Sequence, residues 1–157
     1  AIGLAAYTGA ARRMQLIGTA GGVRVYDSYA HHPTEITADL AAARAMAAGD
    51  RLVVAYQPHM VSRTRLYGAE MGQALSAADR VIVADIYLAR EDPDPAVTPA
   101  LIIDAVEGPA ASAGGPVTGL ADLLVRDLLP GDMLLTLGAG DITTVGPAVI
   151  EALEAKA

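Results

Sequence analysis

The sequence predicts an open α/β sheet, mostly parallel, with helices on both faces and a β-hairpin on its N-terminal side. Three observations predict it. Two continuously apolar runs, RLVVAYQ (51–57) and DRVIVADIY (79–87), have the make-up of strands buried on both faces. A segment with helical spacing lies between them, which is the order of a parallel sheet with right-handed crossovers. Ahead of both, MQLIGTAGGVRVYDSY reads as two short strands around a Gly21-Gly22 turn.

The elements follow in order. AIGLAAYTGAARRM fits no part of the sheet pattern and reads as the tail of an upstream element with a linker, so residues 1–13 are set apart from a domain of residues 14–157. After the hairpin, Ile36, Leu40, Ala43 and Ala47 recur at helical steps behind Pro33, and Gly49 closes that helix. Residues 63–77 carry Leu66, Met71 and Leu75 in a second helix. TPALIIDAV and LADLLVRDLL are expected as two further helices, with EDPDPAVTP and EGPAASAGGP as surface loops and at most a short strand at GGPVTG. GDMLLTLGAGDITTVGPAVIEALEAKA supplies a last strand, a Gly-rich turn and a terminal helix.

Composition narrows the function. The 157 residues are 53% hydrophobic but contain no Phe or Trp, so the core must be aliphatic and rich in alanine. A net charge of −7 opposes nucleic-acid backbones, and no run approaches the ~18 apolar residues of a membrane span. The chain lacks cysteine, which removes disulfides and thiolate chemistry and fits a cytoplasmic setting. Its one lysine is Lys156, so a buried catalytic lysine is excluded. Three histidines, two of them adjacent, make a metal centre an unfavoured reading. No G-x-x-x-x-G-K-[ST] loop and no G-x-S-x-G elbow occur.

Ligands of open parallel sheets bind beyond the carboxyl ends of the strands, and four polar clusters fall there: DSYAHH, YQPHMVSRTR, DIYLARED and LGAGD. Taken alone, His31 and His32 fit a helix-capping pair better than a ligand pair. Arg63 and Arg65 stand at the start of a helix, where the dipole disfavours cations, and with His59 they form a cationic group suited to a carboxylate. Ordinary surface pairing with acidic neighbours is the competing explanation for these arginines.

The stretches YDSYAHHPTEI, YQPHMVSRTR, DIYLAREDP and LTLGAGDI, in that order, closely resemble the C-terminal domain of the Mur ligases of peptidoglycan synthesis, in the branch that adds L-alanine. The resemblance spans essentially the whole chain. It implies a Rossmann-like fold that closes over an active site shared with two preceding domains, one for the UDP-sugar and one carrying the phosphate loop. The implied reaction uses ATP, with Mg2+ held by the central domain, to phosphorylate UDP-N-acetylmuramate before the amine of L-alanine attacks; the domain alone is expected to be inactive. By position, Tyr29, His59 and Arg63 are expected at L-alanine, with Arg63 on its carboxylate. Arg13, Asp27, Ser28, His31 and His32 are expected at ATP, and Gly138, Gly140 and Asp141 on an active-site turn. A metal site is not implied. Ser28 departs from the family's usual acid, and restoring that acid is expected to strengthen nucleotide binding; Met60 and Val61 replace larger residues beside His59. A recycling ligase that adds a tripeptide, and a binding module without catalysis, are the alternatives.

Overall fold

The structure is a computed structural model that describes residues 12–156, so most of the expected leading segment, residues 1–13, lies outside the described residues. Six strands form one sheet in the order β1-β2-β6-β3-β4-β5. The strands are β1 Gln15–Ala20, β2 Val23–Ser28, β3 Leu52–Tyr56, β4 Arg80–Ala84, β5 Ala110–Gly115 and β6 Met133–Leu137. β1 and β2 are antiparallel, and every other neighbouring pair is parallel. The hairpin turns through Gly21 and Gly22, with φ of 57° and 77°, the left-handed backbone that a two-residue hairpin loop demands.

The helices are α1 Pro33–Ala47, α2 Val61–Leu75, the single turn α3 Ala100–Ile103, α4 Val117–Asp127 and α5 Val145–Glu154. Alternation along the central strands explains how both faces are covered. Leu52, Val54 and Tyr56 of β3 join Leu40, Met71 and Ile102 in one core, whereas Val53 and Ala55 join Leu120, Leu124 and Val149 in the other. Strands buried on both sides are nearly continuous apolar runs: β3 is apolar and buried at every position, and β6 is buried throughout with Thr136, bonded to Asp27, its one polar residue.

α1 begins with a capping box. His32 is the N-cap, its Nδ1 accepting from the Thr34 amide at 3.4 Å, while the Glu35 carboxylate accepts from the His32 amide at 3.1 Å. At the N-terminus of α2 the Glu91 carboxylate accepts from the amide of Ser62 at 2.8 Å, which offsets the cations in that first turn.

Some boundaries differ from expectation. AASAGG is strand β5 and not a surface loop: pairing with β4 makes it one, and Arg80 ties it down by donating to the Ala110 carbonyl at 3.0 Å and to Ser112 Oγ at 2.7 Å. TPALIIDAV yields one helical turn only, and α4 starts earlier than expected, at Val117. The run DRVIVADIY leaves the sheet after Ala84.

Candidate functional site

The topology reverses direction between β3 and β6: β3 leads into α2 on one face of the sheet and β6 into α5 on the other. A crevice opens at such a switch point. Its two sides are tied by Gln57, whose amide nitrogen donates to Asp141 Oδ1 at 2.6 Å and whose Oε1 accepts from the Ile142 amide at 3.0 Å. Gly138 has φ of 146°, and a Cβ there would lie 2.7 Å from the Gln57 carbonyl. At Gly140 a Cβ would meet Gln57 Oε1 and lie 2.7 Å from the Tyr87 ring. Both glycines are therefore required by close packing across the crevice.

Along the rim runs a row of rings. His31 lies 5.3 Å from Tyr29 and 5.8 Å from His59, and His59 stacks on Tyr87 at 5.4 Å with 23° between planes. Arg63 Nη1 donates to His59 Nδ1 at 3.2 Å and to the His59 carbonyl at 3.3 Å. A guanidinium only donates, so Nδ1 holds a lone pair and the ring proton sits on Nε2. Burial, helped by the charge on Arg63 and by His31, holds His59 below its ordinary value of 6.5, although Glu91 pulls the other way. His59 is thus a neutral donor beside a cation. Two donors of this kind suit a carboxylate.

On the far side of Tyr29 the arrangement is anchored by Asp27, which is 1% exposed at the end of β2. Arg12 Nε donates to Asp27 Oδ2 at 2.8 Å, Arg12 Nη2 to the Gly138 carbonyl at 2.6 Å, and Thr136 Oγ1 to Asp27 Oδ1 at 2.7 Å. The Arg12 guanidinium also lies 5.1 Å from the centre of the Tyr29 ring. Asp27 is therefore engaged inside the fold, and the arginine fixed to the sheet is Arg12, while Arg13 is exposed on the rim. A cavity of about 240 Å³ is lined by Arg12, Arg13, Ser28, Tyr29, Glu35 and Asp39.

Ser28 is as buried as Asp27, and its hydroxyl donates to Asp39 of α1. An acid at position 28 would face Asp39, so restoring one there opposes a like charge instead of simply adding a ligand group. Arg65 leaves the expected cationic group, because it pairs with Asp94. His32 turns its ring toward Tyr67 at 5.1 Å while capping α1. Among the described residues no group of three His, Cys, Asp or Glu converges as a metal site would need.

This geometry can be set against known proteins. The model of the family described as Mur ligase, glutamate ligase domain matches residues 12–140. The chain belongs to that family. Among curated Mur ligase relatives, UDP-N-acetylmuramate-L-alanine ligase of Nocardioides sp. strain JS614 is 59% identical over 154 residues, which cover 97% of this chain and 34% of the relative. The chain thus spans about a third of that relative's length. Of solved structures, UDP-N-acetylmuramate-alanine ligase from Thermotoga maritima shares the fold with a TM-score of 0.77 and 24% identity, over 96% of this chain and 32% of that one. A domain of a putative UDP-N-acetylmuramate:L-alanyl-γ-D-glutamyl-meso-diaminopimelate ligase from Haemophilus ducreyi matches with a TM-score of 0.69 and 26% identity, over 90% of this chain and 99% of that one. A Mur ligase domain of this kind therefore forms a crystal without the rest of its protein.

Gln57, Tyr87, Arg12 and Asp39 were not singled out by the sequence. Gln57 could have been: it is the first polar residue after an unbroken apolar strand, at the strand end where the crevice opens.

Proposed function

We propose that the chain is the C-terminal domain of an ATP-dependent ligase that joins L-alanine to UDP-N-acetylmuramate. The observation that carries this reading is the pair of Arg63 and a neutral His59, two fixed donors at the switch-point crevice. Alanine has almost no apolar surface, so its carboxylate must supply much of its affinity, and a guanidinium fork is the group best shaped to take it. Tyr29, 48% exposed and beyond His31 along the rim, forms the next wall.

The cavity at Arg12, Arg13, Tyr29 and Asp39 offers cations, a ring face and a carboxylate together, a set suited to a nucleotide. In this reading Arg13 reaches the phosphates and Asp39 accepts from hydroxyl groups, while Asp27 acts indirectly by holding Arg12. His31 and His32 shape the loop between the two subsites. The turn Gly138–Asp141 closes the crevice from the β6 side. Preceding domains supply the phosphate loop and the sugar site. Among the described residues no group fits a Mg2+ cage, and in this reading the metal belongs with those domains. The ligase phosphorylates the sugar's carboxylate, the alanine amine displaces phosphate, and closure of this domain keeps water from the acyl phosphate. Such chemistry takes place in the cytoplasm.

The deciding experiment uses the full-length protein with ATP, UDP-N-acetylmuramate and either L-alanine or L-alanyl-γ-D-glutamyl-meso-diaminopimelate. Phosphate release dependent on L-alanine supports the reading. Release with the tripeptide alone would reassign the chain to the recycling ligase, and no release with either would make it a binding module.

A further inference from the structure

We propose that Tyr87 is a positioning residue for His59, holding the imidazole at the angle from which its Nε2–H meets the substrate. The inference rests on the amino-acid site described above, and three independent observations lead to it. The ring of Tyr87 stacks on His59 at 5.4 Å, nearly parallel. The backbone of Tyr87 brackets the same residue: its amide donates to the Pro58 carbonyl at 2.8 Å and its carbonyl accepts from the Met60 amide at 2.8 Å, an isolated parallel bridge outside the sheet. The base of the Tyr87 side chain is packed against Gly140, where an added Cβ would lie 2.8 Å from Tyr87 Cβ and 2.7 Å from its Cγ.

The strain in this segment points the same way. Met60 has φ of 77° and ψ of 136°, a backbone that side-chain-bearing residues rarely adopt. It is held there from both sides. Its amide bonds to Tyr87, and its carbonyl accepts from the amide of Thr64 at 3.1 Å and from Thr64 Oγ1 at 2.9 Å. A strained link between β3 and α2 aims His59 and Arg63 at each other across one helical turn. Stacking then removes the remaining freedom of the ring about its own axis. No described residue bonds to the Tyr87 hydroxyl, so the aromatic face and not the phenol does the positioning.

Two measurements on separate samples test this. In the 157-residue chain, nitrogen-resolved NMR of the histidine rings should show His59 as a single Nε2–H tautomer; Tyr87→Phe should keep it, and Tyr87→Leu should give averaged tautomers. In the full-length ligase Tyr87→Leu should raise the L-alanine KM about fivefold, with kcat and the ATP KM little changed, and Tyr87→Phe should behave as wild type. A single Nε2–H tautomer retained in Tyr87→Leu overturns the positioning role, whatever the kinetics. Averaged tautomers with an unchanged alanine KM uphold the positioning and overturn instead the placement of alanine at His59. Leucine fills the seat on Gly140 and preserves the backbone bridge; if it nevertheless unfolds the chain, Tyr87→Met replaces it with the same expectations.

Discussion

Arg63 donates to Nδ1 of His59 across 3.2 Å, and because arginine has no acceptor to offer, this single bond fixes the protonation of the imidazole.

Loss of the arginine should therefore be felt by one substrate above the others. In the full-length ligase Arg63→Ala is expected to raise the L-alanine KM at least ~100-fold, about 3 kcal/mol, with small changes for ATP and the UDP-sugar. Arg63→Lys should restore part of the loss, since an ammonium keeps the charge without the fork. Steady-state kinetics with each substrate varied in turn will decide; weakened ATP with normal alanine saturation would exchange the two subsites.

The same pair sets a pH dependence. Folded His59 titrates below 6.5, the ordinary value it regains on unfolding. As pH falls below 6.5, the unfolded chain takes up a proton that the folded chain still refuses, so stability drops until the folded midpoint is passed. Above 6.5 the contribution of this residue is fully present. An NMR titration should find the His59 midpoint low, and Arg63→Ala should move it upward.

At the other subsite, Ser28→Asp should destabilise the fold by about 2 kcal/mol, because a buried carboxylate would face Asp39 where a hydroxyl now donates to it. Exchanging the two residues, Ser28→Asp with Asp39→Ser, should recover more than half of that loss. Urea denaturation of the three variants forms the cycle. A neutral Ser28→Asp would mean that Asp39 turns away to solvent at little cost.

Gly140→Ala should cost about 1–3 kcal/mol and displace the β6 turn, since the added methyl collides with Gln57 Oε1 and with the Tyr87 ring. Thermal unfolding measures the first effect. The second should appear as amide shifts in Asp141 and Ile142, the residues that Gln57 holds.

What the sequence could reveal depended on whether one residue type settles the matter. β3, β4 and β6 were legible because their apolar runs exceed what a half-exposed strand allows. α1 was legible from its spacing and from Pro33. β5 was hidden because AASAGG has no branched or large side chain, and only the neighbouring β4 and the reach of Arg80 turn it into a strand. The site divided in the same way. His59 and Arg63, four residues apart across the start of α2, could be placed together by their short spacing, but the ties from Gln57 to Asp141 and from Arg12 to Asp27 join residues 84 and 15 positions apart. Nor does spacing tell that Arg65 goes to Asp94 while Arg63 goes to His59.

The place of β6 has a consequence for how the molecule comes into being. β6 is the last strand in sequence, yet it lies between β2 and β3 and bonds to both. During synthesis the hairpin side and the β3–β5 side emerge with a strand-wide gap between them, and neither can finish its core until residues 133–137 have left the ribosome. The same segment then delivers the Gly138–Asp141 turn, so the crevice is assembled in the step that closes the sheet. A nascent chain stalled before β6 would present two open parallel edges with nothing to pair, which is where a chaperone would find its purchase.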